Sequence, residues 1–502
     1  MRRTVVIEAN EVPLRVLQWY ARSHPGSTIH RLLHHAAVGE TLVTETITKE
    51  LYPSQTWASL AMGVPYEKHG VYWYGDPKPA EYPMYWQLAA GAGRRVGLMG
   101  ALHSSPLADR SAGGDFAFLV PDAFAESPDT IPSSLSGLQA FNLAMTRSNS
   151  RAVSSTRPIA AYATGALAAA RSRLRPRTVR DLAQLAAGVA AGRIPRERLR
   201  TAQFLLMSDP FERLTAAEDP DLAVFFTNHV AASMHRYWFA NFPDDWSEAL
   251  FDQAWVDRFA GELPAALDAL DTFLGRVLAY CEATDRSLLV MSSMGQTGGA
   301  PLVHDGDRAV VLDQAGVFAT ALGIDAPFDV RNSMVPHLSL DFGSSQTASD
   351  QERIVRSVED VDQWLDIDRA NGVLTLTYTL DPAGNDSVAI AGRTVKASDL
   401  GLRLVEVAEH RCGTHHPLGV MIVANGRTDG VDGQVVDPLQ IAPAILRSLE
   451  VEPAPHHQDP EFSFWTPSHR LPRPHPIPRS QPTTRSQPTT RPHPAAGAEV
   501  AT

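Results

Sequence analysis

The chain repeats one pattern, in which a short run of apolar residues is followed by a segment with helical spacing. Runs that are apolar on both faces predict strands that are covered on both sides, as in a parallel sheet. The alternation of such strands with helices predicts an α/β fold, a three-layer α/β/α sandwich around a mostly parallel central sheet. The predicted strands are residues 4–9, 96–100, 221–226, 287–291 and 419–424, and the predicted helices include residues 11–24, 56–62 and about 265–282.

Three stretches depart from this pattern. Residues 151–205, rich in Ala and Arg, predict a helical insertion whose basic side is either a solvated helix face or a surface for an anionic substrate or partner. Apolar residues and threonines alternate between residues 372 and 400, which predicts a small β insertion, a hairpin that turns at 381–386. From residue 453 onward Pro, His, Arg, Ser and Thr dominate, and this composition predicts a disordered tail.

These stretches divide the chain into a core and its additions. The predicted organisation is a core in three parts (1–150, 206–345 and 411–452), the helical insertion (151–205), the β insertion (346–410) and the tail (453–502).

Composition limits the classes of function. A net charge of −12 over 502 residues argues against specific nucleic-acid binding, because acidic chains repel phosphate backbones. The two cysteines, Cys281 and Cys412, are too few for a disulfide framework and fit a reducing compartment. No apolar run is long enough to cross a bilayer, and the strand at residue 4 leaves no room for a secretory leader. We therefore expect a soluble, cytoplasmic protein without a membrane partner, of unknown oligomeric state.

Residues 52–70, YPSQTWASLAMGVPYEKHG, combine a helix start with a cluster of polar side chains. Pro53 precedes the predicted helix, and Thr56 stands at its N-terminus. The hydroxyl of Thr56 there either caps the helix or acts as a nucleophile that the positive end of the helix dipole favours. The segment taken alone favours the cap.

The same segment resembles the nucleophile region of the alkaline phosphatase superfamily, most closely its type I phosphodiesterase/nucleotide pyrophosphatase branch. The matching features are the proline-led turn, Thr56, Gly63 and the pair His69-Gly70. Further landmarks follow in the same order, over roughly the first 450 residues. They are AGRRVG from residue 92, LVMSS from 289, GTHH from 413 and DPLQIAPAIL from 437. The resemblance implies the fold of that superfamily and a hydrolase of phosphate esters with Thr56 as nucleophile.

The resemblance also implies two metal ions, usually zinc, held by carboxylates and imidazoles. Of the implied positions, the unchanged ones are Thr56, His235 and His415. The changed ones are Asn10, Ala231, Ser293 and Met294. Ser and Met side chains are poor zinc ligands. His235 and His415 belong to one of the two sites, which has lost its Asp at position 231. The expectation is therefore a partial centre with one zinc or other divalent ion, or no metal at all.

Further polar and aromatic residues complete the predicted site. Glu8 lies on a buried strand, where an unpaired carboxylate is costly, so it should meet a cation, a metal or backbone amides, or else be neutral. Glu8 and Asn10 are the additional metal-ligand candidates, because the carboxyl end of a parallel strand is where open α/β sheets bind ligands. The predicted substrate contacts are Trp57, Tyr74, Ser293 and His416.

Two functions remain open after these considerations. The first is a hydrolase of phosphodiester or nucleotide-type phosphate esters that uses Thr56 and a partial metal centre. The second is a catalytically silent protein that binds a small anionic, phosphorylated or nucleotide-like ligand in the same crevice. A transfer reaction at the loop from residue 292 stays in reserve, because no spacing of nucleophile and base in the sequence selects it.

Overall fold

The computed structural model describes residues 1–45, 50–105, 116–148 and 164–465, apart from 165–166, 169, 172, 304–307, 332–336, 379–386 and 407–410. One compact unit spans Met1–Leu471, and a second, Pro472–Thr502, lies outside the described residues. The predicted turn at 381–386, the first part of the helical insertion and most of the predicted tail also lie outside them.

The strands are short and are numbered here in chain order. Those of the core are β1 (Thr4–Ala9), β2 (Ala37–Thr41), β3 (Val96–Met99), β4 (Phe116–Val120), β5 (Leu222–Thr227), β6 (Ser287–Met291) and β7 (Gly295–Val303). Those of the following segment are β8 (Arg308–Leu312), β9 (Asp329–Arg331), β10 (His337–Asp341), β11 (Leu365–Ala370), β12 (Val373–Tyr378), β13 (Ser387–Ile390), β14 (Arg393–Lys396) and β15 (Leu402–Glu406). The last are β16 (Arg411–His416), β17 (Met421–Ala424), β18 (Arg427–Asp429), β19 (Val435–Val436) and β20 (Ser463–Trp465).

The helices lie between these strands. In the first half of the chain they are α1 (Leu14–Ser23), α2 (Thr28–His35), α3 (Pro53–Met62), α4 (Tyr66–His69), α5 (Tyr85–Gly91), α6 (Ser136–Ser148), α7 (Pro176–Ala190), α8 (Arg200–Glu218) and α9 (His229–Asn241). In the second half they are α10 (Gln253–Phe259), α11 (Glu262–Thr284), α12 (Ala315–Ala321), α13 (Ser345–Arg356) and α14 (Ile441–Ser448). Among the described residues, no helix combines the length and the apolar character that crossing a membrane requires.

The central sheet has eight strands in the order β19-β2-β17-β6-β1-β5-β3-β4. β1 pairs in parallel with β5 and β6, with Ile7 opposite Phe225 and Val290. β17 runs antiparallel to both of its neighbours, β6 and β2. The predicted mostly parallel sheet is therefore confirmed, and the carboxyl ends of β1, β5 and β6 meet at one edge.

Helices cover both faces of this sheet. On β1, Val5 and Ile7 pack into the layer that contains α1, α2, α8, α9 and α11. Val6 packs into the opposite layer, which contains α3, α5 and α14. These two apolar clusters form the core, and they confirm the predicted three-layer α/β/α sandwich. The alternation along β1 also decides which layer each polar residue at its end faces.

A small β domain follows the core strand β6. It contains a four-stranded sheet, β11-β12-β10-β9, and a separate hairpin of β13 and β14. The predicted pairing of residues 373–378 with 387–390 is wrong, because β12 pairs instead with β10 and β11. The turn that determines this pairing is Asn371-Gly372, a dipeptide typical of tight hairpins, and Asn371 has a φ of 51°. The predicted boundary at residue 346 falls inside this domain, since β9 and β10 precede it.

The helical insertion is anchored by ion pairs. Arg175, in the predicted basic cluster, contacts Asp209 and Glu212 at 2.9 Å each. Asp209 lies on α8 and is fully buried, so this arginine ties the start of α7 to α8 and stabilises the insertion itself. The predicted boundary at residue 205 falls inside α8, which continues to Glu218.

The first part of the predicted tail belongs to the folded unit. Phe462 is 4% exposed and packs in the layer of α3, α5 and α14. β20 pairs antiparallel with β18, with Phe464 opposite Thr428. Residues 453–465 therefore belong to the folded unit, because one aromatic side chain and a strand compensate for a polar, proline-rich composition.

Candidate functional site

The site begins where the chain leaves β1. Asn10 and Glu11 follow the strand, and both are buried. Glu11 has a φ of 57°, a left-handed conformation that costs a non-glycine residue roughly 1–2 kcal/mol. Its carboxylate lies in the layer of α9, as the alternation along β1 predicts, and the contacts made there compensate for the strain.

Glu11 meets two histidines from distant parts of the chain. Oε2 of Glu11 lies 2.9 Å from Nε2 of His235, on α9, and 3.6 Å from Nε2 of His415, on β16. One ligand atom from each of the three residues lies within 4.8 Å of the others. We call these three residues the Glu–His–His group. It forms because α9 packs on β16 beside the end of β1.

Two amide side chains hold the carboxylate from either side. Gln296 on β7 lies opposite His415 in the ladder, and its Nε2 donates hydrogen bonds to Oε2 of Glu11 and to the carbonyl oxygen of Ala231. Nδ2 of Asn10 donates to Oε1 of Glu11 at 2.8 Å. Both carboxylate oxygens are therefore engaged, which fixes the direction of the side chain.

Burial and charge oppose each other at this group. Burial alone raises the pKa of Glu11, but His235, His415 and the Gln296 amide outweigh it and hold the pKa at about 2. Burial lowers the pKa of His415 to about 4 and also lowers the pKa of His235. At neutral pH the group therefore offers one carboxylate and two uncharged imidazoles.

This donor set fits a divalent cation. Two imidazoles and one carboxylate are the protein ligands of many catalytic zinc sites, which keep a further position open for water or substrate. A cation among the three ligand atoms would also satisfy the carboxylate and the imidazole nitrogens that face it. The residues of the Glu–His–His group thus suit one zinc or a similar ion.

Thr56 lies in the first turn of α3 but does not cap it. The capping position is Tyr52, whose carbonyl oxygen accepts a hydrogen bond from the Thr56 amide at 3.0 Å. Oγ1 of Thr56 lies 2.8 Å from Oγ of Ser293 and 3.4 Å from the carbonyl oxygen of Pro53. The side chain is 2% exposed, so its hydroxyl is shielded from bulk water by its neighbours.

The Glu–His–His group forms part of the wall of a cavity of about 230 Å³. Farther along the wall, Tyr74 and Phe124 stack with their ring centres 3.6 Å apart. Among the described residues that line the cavity, the permanently charged side chains are Glu11, Arg236 and Arg411. Nη2 of Arg411 lies 3.2 Å from Nδ1 of His235, so a guanidinium adjoins the group directly.

The structure corrects the prediction that Glu8 supplies the missing carboxylate. Position 8 faces the layer of α3 and α5, whereas His235 lies on α9 in the opposite layer. The Tyr85 hydroxyl donates a hydrogen bond of 3.2 Å to Oε1 of Glu8. Burial raises the pKa of Glu8 to about 8, against the opposing effect of that hydrogen bond. Glu8 is thus largely protonated at neutral pH, the neutral state that was one expectation for it.

Three further predicted roles change. Asn10 is not available as a ligand, because its Oδ1 accepts a hydrogen bond from the indole of Trp57 at 2.8 Å. Trp57 is 2% exposed, so it supports Asn10 from the core instead of touching a substrate. Nδ1 of His416 accepts a hydrogen bond from the backbone amide of Leu418, and His416 is not among the described residues that line the cavity. Ser293 contacts Thr56, and Tyr74 lines the cavity, so contact of either with substrate stays a prediction.

Sequence reasoning missed Glu11, Gln296, Arg236 and Arg411. Glu11 directly follows Asn10, the position that the resemblance marks, and the alternation of the strand places the two side chains on opposite faces. Gln296 follows the loop of the lost ligands, two positions after Met294. Arg236 follows His235 directly. The signal that could have found these residues is their closeness in sequence to positions that the resemblance implies as site residues.

Comparisons with known proteins give fold-level matches. No protein-family model matches the chain, and no curated protein matches it in sequence. Murine ectonucleotide pyrophosphatase/phosphodiesterase 5 is 10% identical, with a TM-score of 0.39, and the match covers 91% of this chain and 97% of that one. An inactive form of that protein was solved in complex with AMP.

Two further solved structures are similar to the chain. Phosphonoacetate hydrolase from Sinorhizobium meliloti, in complex with phosphonoformate, is 12% identical, with a TM-score of 0.36 and coverage of 90% and 96%. A mutant of TAB5 alkaline phosphatase with magnesium bound is 10% identical, with a TM-score of 0.34 and coverage of 90% and 98%. The chain is thus similar to these three proteins over most of its length, at low identity. Low identity and low TM-scores mean that the activity has to be inferred from the site itself.

Proposed function

We propose that the chain is a hydrolase of phosphate esters, of the phosphodiester or nucleotide type, that works with a single divalent cation. The observation that carries this proposal is the Glu–His–His group in the wall of a cavity at the carboxyl edge of the sheet. Glu11, His235 and His415 would hold the cation. A cation there supplies Lewis acidity towards a phosphoryl oxygen and offsets negative charge.

The charge of the cavity supports an anionic substrate. The whole chain carries a net charge of −12, yet the described part of the cavity wall contains two arginines, Arg236 and Arg411, against one carboxylate, that of Glu11. Guanidinium groups bind phosphate oxygens through paired hydrogen bonds. With Arg411 beside His235, a phosphate ester near the Glu–His–His group would have a second positive partner.

Thr56 is the proposed nucleophile. The first turn of α3 carries the positive end of a helix dipole, which favours negative charge on a hydroxyl and on an incoming phosphate. The nearest side-chain oxygen is Oγ of Ser293, at 2.8 Å, and a serine hydroxyl is a weak base. The role of Thr56 is therefore tested separately from the metal ligands, with Thr56→Ala.

Metal analysis combined with a phosphodiester assay tests the proposal. We expect protein loaded with zinc to keep about one ion per chain after dialysis and to hydrolyse bis(p-nitrophenyl) phosphate. Glu11→Gln should lose the ion and the activity, because an amide removes the only charge among the three ligands. Glu8→Gln is the matched control, because Glu8 is a buried carboxyl three residues earlier, on β1, and lies outside the group. This variant should bind zinc and hydrolyse the substrate like the unmodified protein. Unchanged metal content in Glu11→Gln would refute the proposal.

A catalytically silent binding protein is the second candidate, and the contact between Thr56 and Ser293 favours it. A hydroxyl that is paired with another hydroxyl, and not with a base, is poorly activated. This alternative predicts that zinc and AMP raise the melting temperature without turnover. It would be excluded if Thr56→Ala abolished a measurable phosphodiesterase activity while metal content stayed the same.

A further inference from the structure

A chain of hydrogen bonds connects the helix of Thr56 to the Glu–His–His group. The indole N–H of Trp57, the residue after Thr56, donates to Oδ1 of Asn10 at 2.8 Å. Nδ2 of Asn10 in turn donates to Oε1 of Glu11 at 2.8 Å and to Oδ1 of Asn228 at 2.8 Å. Trp57, Asn10 and Glu11 are each no more than 3% exposed, so water does not compete for these bonds.

The amide at position 10 suits this chain of bonds for a chemical reason. A carboxamide accepts a hydrogen bond with its oxygen and donates with its nitrogen, whereas an ionised carboxylate can only accept. Asn10 can therefore accept a hydrogen bond from the Trp57 indole with its oxygen and donate one to Glu11 with its nitrogen. An ionised Asp at position 10 would place a second negative charge beside Glu11 and could not donate to it.

Both oxygens of Glu11 are thereby fixed. Oε1 is held by Asn10, and Oε2 is held by Gln296 while it faces the histidines. The left-handed backbone of Glu11 makes these hydrogen bonds necessary, because a strained residue keeps its conformation only where its surroundings determine it.

We propose that Trp57 and Asn10 are positioning residues that aim the carboxylate of Glu11 at the cation between His235 and His415. This inference rests on the proposed function, since it assumes that the Glu–His–His group binds a metal. Hydrogen-bond partners of metal ligands typically change metal affinity 10–100-fold when they are removed. The contact between Trp57 and Asn10 would then set the position of two parts of the site, the helix α3 that carries the proposed nucleophile and the metal ligand Glu11.

Cobalt binding tests this role without relying on turnover. Trp57→Phe removes the indole N–H and keeps a flat aromatic ring. We expect its dissociation constant for Co²⁺ to rise about tenfold, with an altered visible absorption spectrum of the bound ion. Trp86→Phe is the matched control, a buried tryptophan in the same layer of the core, and it should bind Co²⁺ with unchanged affinity and spectrum. Unfolding midpoints of both variants separate an effect on the site from loss of stability.

The outcomes distinguish this inference from the proposed function. If Trp57→Phe keeps the original affinity and spectrum while Glu11→Gln loses binding, the positioning role is refuted and the metal site stands. If Glu11→Gln binds Co²⁺ like the unmodified protein, the metal site itself is refuted.

A measurement on metal-free protein tests the hydrogen bonds directly. With ¹⁵N-labelled tryptophan, the indole N–H of Trp57 should exchange slowly with solvent, and Asn10→Ala should shift its resonance and speed its exchange. Rapid exchange of the Trp57 indole in the unmodified protein would refute the positioning role whatever the metal data show.

Discussion

At the scale of single residues, the identity of a ligand depends on where the backbone sends its side chain. Asn10 and Glu11 are neighbours in sequence, yet Asn10 contacts Trp57 of α3 while Glu11 contacts His235 of α9. Their side chains face opposite layers, as successive residues of a strand do, and the φ of 57° at Glu11 is the further feature that residue types do not encode. The histidines could be predicted from the resemblance, but the carboxylate that completes them could not.

His229 gives a prediction for pH dependence. Nε2–H of this buried imidazole donates a hydrogen bond to the Ala266 carbonyl oxygen, 3.0 Å away, and its Nδ1 lies 2.7 Å from Oγ1 of Thr227. Burial lowers its pKa from 6.5 to about 4, an effect that the Ala266 contact only partly opposes. Between these values the unfolded chain binds the proton and the folded one does not, so the free energy of unfolding falls as pH falls.

We expect protonation of His229 to account for about 2 kcal/mol of the decrease in the free energy of unfolding between pH 7 and pH 5. His229→Gln should therefore show a smaller loss over that interval than the unmodified protein. Urea denaturation at both pH values measures the difference. Equal losses in the two proteins would show that His229 is protonated in the folded state as easily as in the unfolded one.

At the scale of elements, α3 is defined by its two ends. Pro53 fixes its first turn, and Gly63 ends it with a φ of 64°. The ring of His457 packs against Gly63 so closely that a β-carbon there would lie 2.5 Å from Cδ2 of the imidazole. Gly70 ends α4 with the same φ of 64° and has no atom within 4 Å of a built β-carbon.

The two glycines therefore form a matched pair. Gly70→Ala should lower the free energy of unfolding by about 1 kcal/mol, the cost of a left-handed alanine. Gly63→Ala should lower it by about 3 kcal/mol, because overpacking against His457 adds to that cost. Chemical denaturation of both variants measures the difference. Equal losses would show that the segment around His457 moves aside freely.

The elements show where sequence patterns are reliable. β1 and β6 have the predicted bounds, because buried parallel strands are continuous apolar runs with sharp ends. The pairing in the small β domain was predicted wrongly, since an alternating strand such as β12 does not reveal which of several neighbours it joins. Alternation reports that one face is buried, and the choice of partner depends on turns and on tertiary contacts.

At the scale of the whole molecule, the C-terminal segment joins the core through few residues. Phe462 packs with Ile445 and other members of the α3, α5 and α14 layer, and β20 adds a strand to β18. Removing residues 466–502 should leave the midpoint of thermal unfolding unchanged, since that stretch is polar and rich in proline.

Removing residues 453–502 should instead lower stability, and Phe462→Ala in the full chain should reproduce most of that loss, about 3 kcal/mol. Differential scanning calorimetry of the two truncations and the point variant measures these effects. A shorter truncation as damaging as the longer one would show that residues 466–502 contribute to the folded unit.

The whole architecture was easier to predict than the site. Five apolar runs, separated by helices, were enough to predict a three-layer sandwich, because only a doubly covered sheet buries them all. The site depends on three residues, Glu11, His235 and His415, that are hundreds of positions apart, and on Glu11 pointing to one layer and not the other. The placement of a carboxylate beside two distant histidines depends on tertiary structure. A sequence pattern predicts it only where a resemblance to a known family identifies the positions.

The one-residue step from Asn10 to Glu11 has a consequence for comparing sequences position by position. Such a comparison records position 10 as a lost acid and gives position 11 no credit. The left-handed turn nevertheless lets the next residue place its carboxylate on the imidazole side of the crevice. A carboxylate one residue beyond a marked position therefore reaches the opposite layer, which a comparison by position alone does not register.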